Sequence, residues 1–202
     1  MTRGTLIVFL KSPRAGRVKT RLGREIGIGR AAVLFRRMTE ITLREARKGL
    51  WRPVLAIDSG TEPFSLPLVW KTQFDCVAQA RGDLGARMAT AMRVAVGGPI
   101  VIIGADAPQL RAAHLKEAFR SLGAADAVFG PAHDGGYWLI GVARRRRAPD
   151  LFNGVRWSSP HALGDTIATL PPDFLIAYLP VLHDVDDAAG LAAAGPLLLS
   201  AR

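Results

Sequence analysis

The chain has 202 residues, of which 49% are hydrophobic and 22% charged, and its 27 lysines and arginines outnumber its 17 aspartates and glutamates to give a formal net charge of +10. These proportions are typical of a globular protein, in which one core serves about 100–200 residues, and they exclude a disordered tail or a fibre. A single cysteine, Cys76, excludes an internal disulfide, and no Cys and His spacing matches a structural zinc site.

Neither the N-terminus nor any other segment predicts insertion into a membrane. The apolar run at residues 6–10 is shorter than the ~7–15 apolar residues of a signal peptide, and no segment reaches the ~18 apolar residues of a membrane span. We therefore expect a cytoplasmic protein. The positive charge, concentrated at residues 14–30, 36–52 and 144–147, suits phosphate-bearing small molecules as well as a polynucleotide. The run of four arginines at 144–147 is most simply a solvated turn at the end of a strand.

Apolar runs rich in β-branched residues alternate along the chain with stretches of helical period. Strands are predicted at residues 5–10, 53–57, 100–104, 127–130, 137–142 and near 174–182. Helices are predicted around 34–46, at 83–96 and 114–122, from Ser159 as N-cap and Pro160 as first residue to 170, and after 187. Continuously apolar strands are typical of parallel sheets covered by helices on both faces. The sequence thus predicts a three-layer α/β/α sandwich, with residues 1–202 as a single domain.

Ligands of open α/β sheets bind beyond the carboxyl ends of the strands, so the residues that follow each strand are the first candidates for a site. The first strand leads into KSPRAGRVKTRLG at residues 11–23, which offers Lys19, Thr20 and Arg21 together with two glycines. Cations and free backbone N–H groups after a buried strand favour an anion site, although a solvated basic turn is the alternative. The loop is not a P-loop, because the required first glycine is missing and Lys19 does not follow a glycine.

Carboxylates follow two further strands. Asp106 comes directly after the strand at 100–104, and Asp184 and Asp186 follow the last strand. Should one of the latter face Asp106, the pair would form a site for Mg²⁺ or Mn²⁺, since hard cations prefer carboxylate oxygens. Helix caps and strand ends are the alternative roles of these aspartates.

The connection between the strands at 127–130 and 137–142 contains His133, Asp134, Gly135 and Gly136 and leads into Tyr137. The glycines permit a close approach of a ligand, but an ordinary Asp-Gly hairpin turn is the alternative. Trp157 could stack on a base or a sugar, although packing in the core is the simpler role.

Together these motifs closely resemble those of the radical-SAM/selenodomain-associated transferase family, whose members are glycosyltransferase-like. The order and joint occurrence of the motifs, from residue 5 to about 187, carry the resemblance. They are Lys19-Thr20-Arg21-Leu22, GDLGARM at 82–88, GADAP at 104–108, PAHDGGYWLIG at 131–141, Trp157-Ser158 and Asp184-Val185-Asp186.

The resemblance implies the GT-A, or nucleotide-diphospho-sugar transferase, fold, with a mixed, mostly parallel sheet. A nucleotide-binding half at about 1–110 would be followed by an acceptor half at about 111–202. More distant similarity to molybdenum-cofactor and phospholactate guanylyltransferases implies nucleotide and metal roles for the matching Lys19, Arg21 and Asp106. The chain departs from these relatives in two ways, since it has no central Asp-X-Asp and no glycine-rich first loop.

The resemblance thus predicts a transferase that moves a glycosyl group from a nucleotide-diphospho-sugar to an unidentified acceptor. Asp106 with Asp184 or Asp186 would hold Mg²⁺ or Mn²⁺, and Asp134 or His133 would receive the acceptor's proton. Nucleotidyl transfer from a nucleoside triphosphate is the first alternative, and a non-catalytic basic module that binds nucleic acid is the second. The candidate substrate-binding residues are Lys19, Thr20, Arg21, Asp83, Arg87, Gly135, Gly136, Tyr137 and Trp157.

Overall fold

The computed structural model describes residues 4–58, 66–147, 151–187, 190–192 and 194. These residues contain one seven-stranded sheet with the strand order β3-β2-β1-β4-β6-β5-β7. In chain order the strands are β1 (Thr5–Lys11), β2 (Arg52–Asp58), β3 (Asp75–Ala78), β4 (Ile100–Ile103), β5 (Ala127–Pro131), β6 (Tyr137–Val142) and β7 (Ile176–Tyr178).

The sheet is mixed but mostly parallel. Strands β1 to β4 pair in parallel, and β5 pairs in parallel with β7. Strand β6 lies antiparallel between β4 and β5. The carboxyl ends of the other six strands therefore lie along one edge of the sheet, and the predicted α/β fold is confirmed.

Six helices connect the strands in the described residues and cover both faces of the sheet. They are α1 (Thr20–Ile26), α2 (Ile28–Ala46), α3 (Leu68–Gln73), α4 (Leu84–Val94), α5 (Ala112–Ser121) and α6 (Ala162–Ala168). Residues of α2, α3 and α5 share a core with Leu6 and Val8, whereas α4 and α6 share another with Ile7. Because alternate strand residues point to opposite faces, this division of β1 creates the three predicted layers.

The described elements differ from the predicted ones where the sequence pattern is weak. The strand predicted at 100–104 ends at Ile103, and the strand predicted near 174–182 is limited to Ile176–Tyr178 with an isolated bridge at Leu182. The helix predicted to start at Pro160 begins at Ala162, because Ser159 Oγ accepts the N–H of His161 and closes a turn first. Of the helix predicted after 187, residues 190–192 and 194 are helical, and the remainder lies outside the described residues.

The arginine run at 144–147 is more closely bound to the protein than a solvated turn would be. Arg145 donates to the carbonyls of Leu122, Gly123 and Ala125, beyond the end of α5. Arg146 pairs with Asp126 and Asp173 and lies over the ring of Phe174. Arg145 and Arg146 therefore bind carbonyl and carboxylate groups of neighbouring segments. In the part of the chain that the structure describes, no helix has the length and apolar character needed to span a bilayer.

Candidate functional site

A cavity of about 370 Å³ opens at the carboxyl ends of β1, β2 and β4. This is the edge of an open α/β sheet at which ligands bind. Its volume lies in the range of about 300–1,000 Å³ that is typical of small-molecule sites. It is lined by Phe9, Leu10, Lys11, Val18, Lys19, Thr20, Arg21, Phe35, Asp58, Gln79, Leu84, Arg87, Gly104, Ala105, Asp106 and Asp186.

Lys19 is the most strongly connected charged residue of this cavity. It precedes α1 with φ 45°, a left-handed backbone conformation that is uncommon for a residue with a side chain. Its ammonium group donates to Asp106 Oδ2 at 3.0 Å and to Asp186 Oδ1 at 2.6 Å, and only 6% of the side chain is exposed. Burial alone would lower the pKa of Lys19, but the two carboxylates more than offset this and raise it above its ordinary value.

Backbone contacts bring Asp106 and Asp186 together although they are far apart in the chain. The N–H of Val185 donates to the carbonyl of Asp106 at 3.4 Å, which brings segment 184–186 to the end of β4. Gly104 leaves room there, because a Cβ on it would lie 2.9 Å from Asp106 Oδ1. The structure thus brings together the three aspartates that the sequence suggested as a cation site.

Asp184 lies among the other carboxylates, and its Oδ1 is buried without a hydrogen-bond partner. Its pKa is raised to about 8, first by loss of solvation and then by the negative charge of Asp106, whereas Lys19 acts in the opposite direction. Asp186 and Asp134 raise it further. A buried carboxyl group with an unsatisfied oxygen is costly to ionise, and a cation bound beside it would favour the ionised form.

The oxygen ligands of Asp106, Asp184 and Asp186 are of the kind that Mg²⁺ and Mn²⁺ prefer. In the arrangement described, however, no group of three or more His, Cys, Asp or Glu side chains among the described residues is positioned to hold a metal ion. Lys19 instead donates to one oxygen of Asp106 and one oxygen of Asp186. The aspartates thus offer the type of oxygen ligand that a divalent ion prefers, without the geometry of a metal site in this arrangement.

Arg87 closes the opposite side of the cavity. Its guanidinium donates to Asp58 Oδ2 at 3.1 Å and to Gln79 Oε1 at 2.9 Å. The predicted substrate residue Asp83 has a local role, because its carboxylate accepts the N–H of Ala86 at 2.8 Å and caps α4. Thr20 and Arg21 begin α1 and line the cavity beside Lys19.

The loop between β5 and β6 lies next to this cluster of carboxylates. His133 and Asp134 are exposed, and the ring of His133 stacks on that of His183 with 4.8 Å between the centroids. Asp134 Oδ1 accepts the N–H of Gly136 at 2.9 Å, which closes an Asx turn. Gly135 has φ 86°, and a Cβ there would lie 2.3 Å from the carbonyl oxygen of Pro160, so only glycine fits.

Tyr137 and Trp157 pack beneath this loop. The Tyr137 hydroxyl lies 3.3 Å from Thr166 Oγ1, and burial raises the pKa of the phenol above its ordinary value. Trp157 lies against the rings of Tyr137 and Phe152, and a Cβ on Gly85 would come within 2.8 Å of its indole ring. Both aromatic residues therefore have packing partners inside the protein. This arrangement agrees with the packing role for Trp157 that the sequence left open.

Residues 42–159 match the DUF2064 family, described as "Uncharacterized protein conserved in bacteria". The chain belongs to this family. It matches no curated protein. Among solved structures, a provisionally named nucleotide-diphospho-sugar transferase from Desulfovibrio desulfuricans G20 is 28% identical, with a TM-score of 0.83 and 98% of each chain covered.

Two further structures share the fold at lower identity. CMP:2-keto-3-deoxy-manno-octonic acid synthetase in complex with CTP is 11% identical, with a TM-score of 0.60 and coverage of 98% of this chain and 99% of that one. Glucosyl-3-phosphoglycerate synthase from Mycobacterium tuberculosis, in complex with Mn²⁺, UDP and glucosyl-3-phosphoglycerate, is 11% identical, with a TM-score of 0.56 and coverage of 98% and 76%. The fold is thus one that both glycosyl and nucleotidyl transferases use.

Asp58 and Gln79 line the cavity but were not among the candidates from the sequence. Asp58 ends β2, so the rule that located Asp106 would also have found it. Gln79 follows β3, a four-residue strand whose apolar character is too weak to predict. Membership of the radical-SAM/selenodomain-associated transferase family stays a prediction from the sequence resemblance.

Proposed function

We propose that this protein transfers a glycosyl group from a nucleotide-diphospho-sugar to an acceptor, assisted by Mg²⁺ or Mn²⁺. The observation that carries the proposal is the joint lining of one cavity by Lys19, Arg21 and Arg87 on the cationic side and by Asp106 and Asp186 on the acidic side. The positively charged side chains can bind the negatively charged diphosphate, and the carboxylates can bind the divalent ion that accompanies it. The likeness to the Desulfovibrio protein supports a nucleotide-diphospho-sugar donor.

Charge neutralisation at the diphosphate is the main task of the donor side. Lys19, with Arg21 and Arg87, would hold the phosphate oxygens and stabilise the negative charge that develops when the bond between the sugar and the diphosphate breaks. A divalent ion held by Asp106 with Asp184 or Asp186 would supply further neutralisation of that charge. The remaining lining residues would contact the nucleoside part of the donor.

The acceptor would approach from the loop that contains Asp134. As the acceptor oxygen bonds to the anomeric carbon, the diphosphate leaves with the electron pair of the broken bond, and the acceptor's proton passes to a carboxylate oxygen of Asp134. Asp134 Oδ1 is engaged by Gly136, whereas the side chain is exposed and its charge acts on Asp184. His133 is the second candidate for the proton.

Product analysis tests this proposal. The purified protein is incubated with Mn²⁺, a panel of nucleotide sugars and candidate acceptors, and separately with nucleoside triphosphates and sugar phosphates. Release of a nucleoside diphosphate supports glycosyl transfer, whereas release of pyrophosphate identifies nucleotidyl transfer instead. Salt-sensitive binding of polynucleotide without a saturable nucleotide site would favour the second alternative, a nucleic-acid-binding module.

A further inference from the structure

The ammonium group of Lys19 lies between the carboxylates of Asp106 and Asp186, in the position of an ion that would bridge the same two oxygens. It takes one oxygen from each carboxylate, at 3.0 Å and 2.6 Å, and the side chain is almost completely buried. Each of these oxygens already accepts a charge-assisted hydrogen bond, which a metal ion binding through the same oxygen would have to share or displace. A divalent ion entering this site would also be repelled by the positive charge of Lys19.

The same side chain faces the cavity in which the donor's diphosphate is proposed to bind. Lys19 and Arg21 line that cavity together, yet only Lys19 is paired with the two aspartates. A lysine ammonium sits on a flexible four-carbon stem, so it can change partners from carboxylate to phosphate without backbone movement. A phosphate oxygen is an alternative acceptor of comparable strength.

We infer that the ammonium group of Lys19 prevents a divalent metal ion from binding to Asp106 and Asp186 in the free protein. When a diphosphate binds, the ammonium group moves from the carboxylates to the phosphate and the metal ion can bind. This inference rests on the proposed function, since it specifies how the donor site is loaded. It requires that metal and diphosphate bind with positive coupling, because each favours the arrangement in which Lys19 has left the carboxylates. The free protein should then bind divalent metal weakly.

Calorimetric titration with Mn²⁺ alone, without any nucleotide, tests the inference on the whole chain. Lys19→Met removes the ammonium group and nearly keeps the length of the side chain, and Lys19→Gln serves as a second neutral variant. Arg21→Met is the matched control, because it removes a positive charge from the same cavity but from a residue that is not paired with Asp106 or Asp186. We expect the Lys19 variants to bind Mn²⁺ roughly 10-fold to 100-fold more tightly than the wild type, the range typical of coupled sites. Arg21→Met should change the affinity much less.

Repeating the titration in the presence of inorganic pyrophosphate measures the coupling. The wild type should gain affinity for Mn²⁺, beyond the association of the ion with pyrophosphate in buffer, and this gain should shrink in Lys19→Met. Wild-type protein that binds Mn²⁺ alone as tightly as the Lys19 variants would overturn the inference, as would an equal effect of Arg21→Met. If the variants do not fold, tight Mn²⁺ binding by the wild type alone remains a decisive contrary result.

The outcome is separable from that of the proposed function. Affinity for Mn²⁺ in the absence of nucleotide reports on Lys19 and the aspartates alone. The failure of every nucleotide to bind would contradict glycosyl transfer while leaving the difference between wild type and Lys19→Met intact. Conversely, nucleotide binding and turnover could be present in a protein whose metal affinity does not depend on Lys19.

Discussion

The proposed donor side and the proposed acceptor side of the site differ in the contacts that position their residues. On the proposed donor side, Lys19 joins Asp106 and Asp186, residues 87 and 167 positions away in the chain, and the lysine side chain is buried. On the acceptor side, Asp134 is positioned by the N–H of Gly136, two residues away, and its side chain is exposed. Long-range ion pairs fix one half of the site before a ligand binds, whereas local turn geometry presents the other half to solvent.

This contrast suggests that the two sides have different roles in binding the donor and the acceptor. On the proposed donor side the charged groups already lie together in the free protein, and only the Lys19 ammonium group changes partner when a diphosphate binds. The proposed acceptor loop is exposed and is held by a local turn, and such loops tolerate variation in the molecule that they bind. The following changes test the two sides separately, from the largest expected effect to the smallest.

Asp134→Asn should slow turnover by about 10²–10⁴-fold, the contribution typical of a general base, while donor affinity stays nearly unchanged. Asparagine keeps the oxygen that accepts the N–H of Gly136, so the turn is preserved and only the basic group is lost. Steady-state kinetics together with donor titration checks this. A folded variant with normal turnover would remove Asp134 from the reaction and make His133→Gln the next variant to test.

Asp106→Ala should abolish metal-dependent nucleotide binding, with a loss of about 30-fold or more, since removing one partner of a hydrogen-bonded charge pair costs about 2–5 kcal/mol. Calorimetric titration with nucleotide in Mg²⁺ measures it. Asp75→Ala is the matched control, because it breaks the exposed pair with Arg52 at the start of β2 and β3, away from the cavity. Unchanged affinity in Asp106→Ala would exclude this aspartate from the donor site.

Asp184→Asn should stabilise the metal-free protein at pH 8, because the pKa of Asp184 is raised to about 8 in the folded state from an ordinary value of 3.8, so that the folded wild type ionises this group at a cost. The folded state retains the proton to higher pH than the unfolded state, so the wild type loses stability as the pH rises from about 4 to 8. The difference in Tm between variant and wild type, measured in a chelator, should accordingly disappear toward pH 4. A variant less stable than wild type at pH 8 would show that the Asp184 carboxylate has a stabilising partner.

Arg21→Ala should weaken nucleoside diphosphate binding by about 10-fold, the typical effect of one exposed charge-assisted contact, while the affinity for the bare nucleoside changes little. Parallel titrations with UDP and uridine, and with GDP and guanosine, measure the difference. Equal losses of affinity for the nucleoside and for the diphosphate would count against a contact between Arg21 and phosphate. The proposed donor site would then consist of Lys19 and the aspartates.

The elements that the sequence predicted well are those with strong hydrophobic patterns. Strand β6 was predicted with its observed bounds, and β1 within one residue, because both are continuously apolar and buried in the sheet. Helix α1 was not predicted, since Thr20–Ile26 is short and Lys19 caps it without a side-chain hydrogen bond. Strand β3 was missed because its sequence, DCVA, is short and mostly exposed at the edge of the sheet.

The candidate site was predictable in outline because the carboxyl ends of parallel strands share one edge of the sheet. That rule brought Lys19, Asp106 and Asp186 to the same region without any knowledge of their contacts. The hydrogen bonds from Lys19 to both aspartates could not be predicted from the sequence. They depend on how closely the loop after β7 approaches the loop after β1. The capping role of Asp83 was likewise hidden, because the same residue type suits a helix cap and a substrate contact.

The central claim is that Lys19, Asp106 and Asp186 form the binding site for the diphosphate of a nucleotide donor. A crystal structure grown with Mn²⁺ and the nucleoside diphosphate that stabilises the protein most, among UDP, GDP, CDP, ADP and dTDP, tests it most directly. We predict phosphate oxygens within hydrogen-bonding distance of Lys19 Nζ and a Mn²⁺ ion bound by Asp106 and by the diphosphate. A diphosphate bound elsewhere, with Lys19 still paired with both aspartates, would contradict the claim.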